Sequence, residues 1–187
     1  MAAGLSTLQA CALSLLLFTG ASQFALVGVL GAGGGVLAAV AGALLLGLRN
    51  TLYAVRLASL VPVPWPRRLL AAQLTIDEST GMATAAPPAL AGTAFWATGA
   101  SVYLLWNLAT LAGAVGAARL GDPGVLGLDA AVPAAFLALL APQLRSRGLL
   151  GVAAAGALVA AVAVPVTPPG VPVLLAGLVV LPLLARR

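Results

Sequence analysis

The sequence predicts an all-α fold, a polytopic transmembrane helix bundle containing discontinuous helices. Three observations predict it. Of 187 residues, 62% are hydrophobic and 7% charged, against about 25% charged in a typical soluble domain, and the mean hydropathy is +1.14. The charges are clustered, so residues 1–48 and 148–185 carry no charged side chain, and a crossing helix needs about 20 apolar residues. Glycine and proline interrupt several apolar runs, which lipid tolerates only where the backbone faces protein or a water-filled cavity.

Charge and residue types exclude several classes of function. All nine basic residues are arginine, and lysine and histidine are absent. The net charge of +5 does not indicate nucleic acid, because the arginines stand at the ends of apolar runs, where the positive-inside rule places them. Without lysine there is no P-loop. The single cysteine, Cys11, excludes an internal disulfide and a cysteine metal cluster, and in its apolar run it reads as a packing residue. With no histidine, no paired set of metal ligands and no nucleophile beside a base, neither an enzyme nor a cofactor or metal site is expected. No positive flank precedes the first apolar region, so a cleavable signal peptide is not expected.

The elements follow from the charge-free intervals. Residues 1–48 hold two spans, Leu8–Leu30 and Val36–Leu48 with its extension, joined by a turn at Gly31–Gly35. A basic region follows, with Arg49, Arg56, Arg67 and Arg68 and with Pro62, Pro64 and Pro66 interleaved. The alternate prolines forbid a regular helix, and the region reads as a cytoplasmic loop. Leu69–Ala86 starts apolar, turns polar through Gln73, Thr75, Asp77, Glu78, Ser79 and Thr80, and ends at Pro87-Pro88. It is too polar for an ordinary crossing. Ala89–Ala118 is a long span with Trp96, Tyr103, Trp106 and Asn107, and Asp122-Pro123-Gly124 is the turn after it. Val125–Gln143 is short and interrupted by Asp129 and Pro133, and residues 148–185 hold two further spans around a turn at Thr167–Gly170. Placing residues 49–68, 145–147 and 186–187 inside leaves both uncharged turns outside, with Arg119 beside Asp122 as a minor exception. The scheme requires Leu69–Ala86 to enter and leave on one face, as a re-entrant or buried segment. The chain is therefore read as one membrane domain over residues 1–187, with a first half of about 1–68, the segment 69–88, and a second half of about 89–187.

Polar groups inside the oily regions mark candidate sites. In Leu17–Phe24, Gly20 weakens helix propagation by roughly 1 kcal/mol relative to alanine, and Ser22 and Gln23 carry polarity that hydrocarbon cannot satisfy. One reading is a discontinuous helix lining a solute site; the other is a close helix–helix contact through Gly20, Ala21 and Ser22, with Gln23 bonded to a neighbour. Pro133 frees a backbone carbonyl in Leu126–Phe136. Interrupted segments in corresponding positions of two halves point to a transporter site, and Gly20–Phe24 and Asp129–Phe136 fit that pattern, each ending in phenylalanine. The halves are accordingly expected to be an inverted repeat, with a proline-kinked packing helix as the bland alternative. Asp77 and Glu78 either lie buried, as coupling or ammonium-binding groups, or form a solvated face. Arg49 either holds a carboxylate bidentately or snorkels to the interface. Asn107 is expected to hydrogen-bond across helices. The site expected on these grounds comprises Gly20, Ala21, Ser22, Gln23, Phe24, Asn107, Pro133 and Phe136, with Asp77, Glu78 and Arg49 as its charged members.

Five stretches together resemble the AzlC family of azaleucine-resistance permeases: LFTGASQF (Leu17–Phe24), LRNTLY (Leu48–Tyr53), LTIDE (Leu74–Glu78), YLLWNLATL (Tyr103–Leu111) and GLDAAVPAAF (Gly127–Phe136). They stand in family order and extend the resemblance over nearly the whole chain, Gly4 to Leu184. The resemblance implies a secondary transporter subunit that exports leucine, isoleucine and valine, is proton-coupled, and works with a small hydrophobic AzlD-type subunit. It implies a multi-pass protein of the bacterial cytoplasmic membrane. A further apolar segment is expected before Gly4 in family members, so the chain is expected to be short at its N-terminus. The sequence departs from the family at Arg49-Asn50, where Arg-His is usual, and at Ile76, which splits the Thr-Asp-Glu run. The competing readings are an uncoupled channel or facilitator for small apolar solutes and a non-transporting membrane scaffold.

Overall fold

The computed structural model describes residues 3–120, 130, 133–134, 137–138, 140–141 and 144–180, with side chains left out at 117–120. Among the described residues the fold is all-helical, with eight α-helices: α1 Thr7–Leu16, α2 Gly20–Gly31, α3 Val36–Ala58, α4 Arg68–Gln73, α5 Asp77–Ala85, α6 Ala91–Leu120, α7 Arg147–Ala163 and α8 Val171–Leu178. Single 3₁₀ turns at Trp65–Arg67 and Pro88–Leu90 precede α4 and α6. The stretches Val36–Ala58 and Pro88–Gly116 are long and apolar enough to cross a membrane.

Local chemistry explains most of the boundaries. Ser6 opens α1 with a capping box: its hydroxyl accepts from the Gln9 amide at 3.2 Å, and the Ser6 amide donates to Gln9 Oε1 at 2.8 Å. Pro62, Pro64 and Pro66 keep the stretch between α3 and α4 out of α-helix. The helix α3 nevertheless continues past Arg49 and Arg56 to Ala58, so the loop expected from residue 49 begins a full ten residues later. Nothing between Arg49 and Ala58 breaks a helix, and arginine propagates one well.

The chain separates into two compact units. One comprises residues 5–23 and 46–119, the other residues 24–45 and 120–187, each with a short N-terminal piece. The first is built around Phe18, Leu57, Val61, Leu74, Ile76 and Phe95, all buried. In the second, α7 and α8 pack together through the turn at 164–170. Gly170 takes a left-handed φ of 95° just before α8, a conformation open to glycine at little cost. At Gly34 a Cβ would come within 2.8 Å of the Pro169 carbonyl, so the 31–35 turn sits too close to the 164–170 turn for any side chain there.

Two helix breaks fall in the first unit. The apolar run expected as one span from Leu8 to Leu30 is interrupted at residues 17–19, and the 69–86 segment is interrupted at residues 74–76.

Candidate functional site

The first break is held open by side chains far away in sequence. In an unbroken helix the Thr19 amide would donate to the Leu15 carbonyl. Instead it donates to Leu17 O at 2.8 Å. The Leu15 carbonyl accepts from Gln73 Nε2 at 2.8 Å and from the Tyr103 hydroxyl at 3.2 Å. Phe18, buried in the gap, meets the Tyr103 ring edge-on with centroids 4.8 Å apart. The orphan carbonyl that a helix end creates is thus satisfied from α4 and α6. Gly20 starts the second half rather than occupying the gap.

Beyond the gap, α2 lies against α6. The Trp106 indole N–H donates to Gln23 Oε1 at 3.0 Å, and a Cβ on Gly20 would stand 3.1 Å from the indole edge. Ala21, Ser22 and Gln23 are buried, Ser22 completely. A second α1–α6 tie joins the Ser14 and Thr110 hydroxyls at 3.1 Å.

The second break is closed by Ser79. Its hydroxyl donates to Leu74 O at 2.6 Å and accepts from the Ile76 amide at 3.1 Å. Thr75 donates its hydroxyl to Ala71 O at 2.8 Å, filling a carbonyl that α4 would otherwise leave unpaired. Leu74 rests against Gly99, where a Cβ would come within 2.9 Å of its own. This geometry puts Asp77 and Glu78 in the first turn of α5, where the helix dipole favours carboxylates.

Asp77 joins α5 to α3. Its carboxylate accepts from Arg49 at 2.6 Å and from the Tyr53 hydroxyl at 2.6 Å. Arg49 and Tyr53 are four residues apart on α3 and so share a face. Glu78, the next residue, is exposed and makes no side-chain hydrogen bond or ion pair among the described residues.

Several buried polar atoms have no hydrogen-bond partner within the chain among the described residues: Ser22 Oγ, Arg49 Nε, Asn50 Oδ1, Thr80 Oγ1 and Asn107 Oδ1. All belong to the first unit. Side-chain contacts link some of their helices. Ser22 Oγ faces Gly47 on α3, Asn50 is one turn further on, Arg49 reaches α5, and Thr80 follows Asp77 by one turn. Asn107 is next to Trp106, which holds Gln23, and its Nδ2 donates to Tyr103 O at 2.8 Å. An unpaired buried polar group costs about 1–3 kcal/mol, so five in one unit are a marked concentration. Chemically the unit offers one cationic donor, two amide acceptors and two hydroxyls, together with the Asp77 carboxylate.

Of the residues expected from sequence, the structure thus brings Gly20 and Gln23 to Trp106, and Arg49 to Asp77. Phe24 continues α2 but belongs to the second unit, as does Pro133, an exposed helical residue. Phe136 lies outside the described residues. Sequence reasoning missed Tyr53, Gln73 and Tyr103 as binding partners. Tyr53 had a signal in its spacing from Arg49; the others reveal their roles only through contacts distant in the chain or at a break.

The AzlC protein family model matches residues 1–120. That range contains both breaks, the Asp77 network and all five unpaired atoms, whereas the Gly127–Phe136 stretch lies beyond it. No curated protein and no solved structure matches the chain. The match covers well over half of the sequence, and the chain belongs to the AzlC family.

Proposed function

We propose that this AzlC-family chain is the larger subunit of a secondary transporter that exports branched-chain amino acids through the cytoplasmic membrane. The family is one of transporters, which makes a membrane-transport role its general function. The finer reading rests on one observation: the unpaired Arg49, Ser22, Asn50, Thr80 and Asn107 atoms, in the same unit as the Arg49–Asp77 pair and the two helix breaks. A zwitterion needs a donor for its carboxylate and acceptors for its ammonium, in a setting that hydrocarbon alone cannot supply. Arg49 Nε suits the first role, and Asp77 with the Asn50 and Asn107 amide oxygens suits the second. Interrupted helices are where transporters place such sites.

In this reading the chain crosses the membrane several times as an inverted repeat. A small AzlD-type subunit completes the transporter, and Asp77 or Glu78 carries the coupling proton. The test is efflux of radiolabelled leucine, isoleucine and valine from cells with and without a co-expressed small subunit. Efflux that needs both chains and collapses with the proton gradient supports the proposal. Flux indifferent to the gradient points to a facilitator, and no flux with either arrangement overturns the transport reading.

A further inference from the structure

A cavity in the first unit has a different chemistry from the Arg49–Asp77 network. It has a volume of about 500 Å³ and lies where α3 ends, under the proline-rich stretch and against α4. Leu57, Val61, Ala71 and Phe95 form its apolar wall, and Thr75 and Arg68 are its polar lining residues. The Thr75 hydroxyl is already used by Ala71 O. Arg68 is exposed and spends only its Nε, on the Val63 carbonyl at 3.4 Å. Among the described residues no acidic side chain lines the cavity, so an ammonium finds no counter-charge among them, which disfavours an amino acid. The volume falls in the usual ligand-pocket range of roughly 300–1,000 Å³. Arg67 stands exposed beside Arg68, and Trp65 and Leu69 are exposed at 73% and 79%. Arginine with tryptophan at the end of a candidate span is the composition of a membrane interface.

We propose that this cavity binds an anionic phospholipid of the surrounding membrane, with an acyl chain inside and its phosphate on Arg68, supported by Arg67. The inference rests on the membrane location of the chain but not on its transported solute. Basic pockets beside spanning helices recognise anionic head groups in this way.

The test is native mass spectrometry of the full chain purified in detergent and offered phosphatidylglycerol or phosphatidylcholine with identical acyl chains. The wild type retains phosphatidylglycerol preferentially. Arg68→Gln, an exposed substitution that leaves the fold intact, retains roughly fivefold less, the effect of one basic group near an anionic surface. Ala58→Trp, which fills the cavity mouth, loses both lipids, and Arg147→Gln in the second unit loses neither. Equal retention of the two lipids by the wild type, or undiminished phosphatidylglycerol in Arg68→Gln, overturns the proposal. So does Ala58→Trp that keeps its lipid while losing leucine efflux, which assigns the cavity to the solute. Retention is read without transport, so failure of the leucine assay leaves this result standing.

Discussion

Arg49 on α3 meets Asp77 at the start of α5 across 2.6 Å, with the two side chains 32% and 30% exposed. The pair fastens the second helix break to Val36–Ala58, the shorter of the two membrane-length stretches. Removing one partner of a fully buried pair costs about 3–5 kcal/mol, and a fully exposed pair is worth under about 1 kcal/mol. Arg49→Gln and Asp77→Asn are therefore each expected to destabilise by about 1–3 kcal/mol. The double variant is expected to lose less than the sum, with a coupling of about 0.5–3 kcal/mol. Thermal unfolding of the detergent-purified chain measures the cycle, and strict additivity would show that the two side chains act independently.

Gln23 and Trp106 carry the contact between α2 and α6 at 3.0 Å. Gln23→Leu is expected to leave the protein in the membrane and to cut leucine efflux by about tenfold or more, equivalent to roughly 1.4 kcal/mol or more. Trp106→Phe removes the indole donor and is expected to impair efflux in the same direction. Immunoblots of membrane fractions alongside the efflux assay separate a transport defect from a loss of protein.

Gly20 and Gly113 make a matched pair of glycines on helices. A Cβ on Gly20 would lie 3.1 Å from the Trp106 ring, whereas one on Gly113 would meet nothing within 4 Å. Gly20→Ala is expected to displace the indole and destabilise by about 1–3 kcal/mol. Gly113→Ala is expected to be neutral or to stabilise by up to about 1 kcal/mol through helix propensity. Tryptophan emission and the unfolding midpoint report both, and a shifted emission in Gly113→Ala alone would contradict the packing described.

Ser79 holds the second break with bonds at 2.6 and 3.1 Å. Ser79→Ala leaves the Leu74 carbonyl and the Ile76 amide without that partner and is expected to cost about 1–3 kcal/mol. Thr84→Ala, whose hydroxyl bonds only carbonyls of its own helix, is expected to change stability by less than about 0.5 kcal/mol. Hydrogen exchange at residues 74–76 should rise in the first variant and stay level in the second.

Much of this arrangement is legible in the residues. The Leu17–Gln23 stretch announces an interruption, because glycine, serine and glutamine follow one another in an oily run. The polarity of Gln73–Thr80 announces that 69–86 is no simple crossing. The break itself, however, falls three residues before Gly20, at a place where Leu17 and Phe18 are ordinary helix formers. It lies there because Gln73 and Tyr103 claim the Leu15 carbonyl, and no local pattern encodes partners 58 and 88 positions away. Arg49 shows the same limit: spacing leaves it between a lipid interface and a binding role, and only the approach of α5 supplies Asp77.

The sequence by itself determined that this chain is helical and suited to lipid, and where the Gly31–Gly35 and Thr167–Gly170 turns and the first interruption fall to within a few residues. Those properties follow from composition, from the distribution of charge and from proline and glycine, all of which act locally. Tertiary structure alone decided which carbonyls at the breaks find donors, which carboxylate Arg49 holds, and which hydroxyls and amides stay unpaired. Hydrogen bonds and ion pairs act over about 3 Å, so their partners are settled only when helices distant in the chain come into contact.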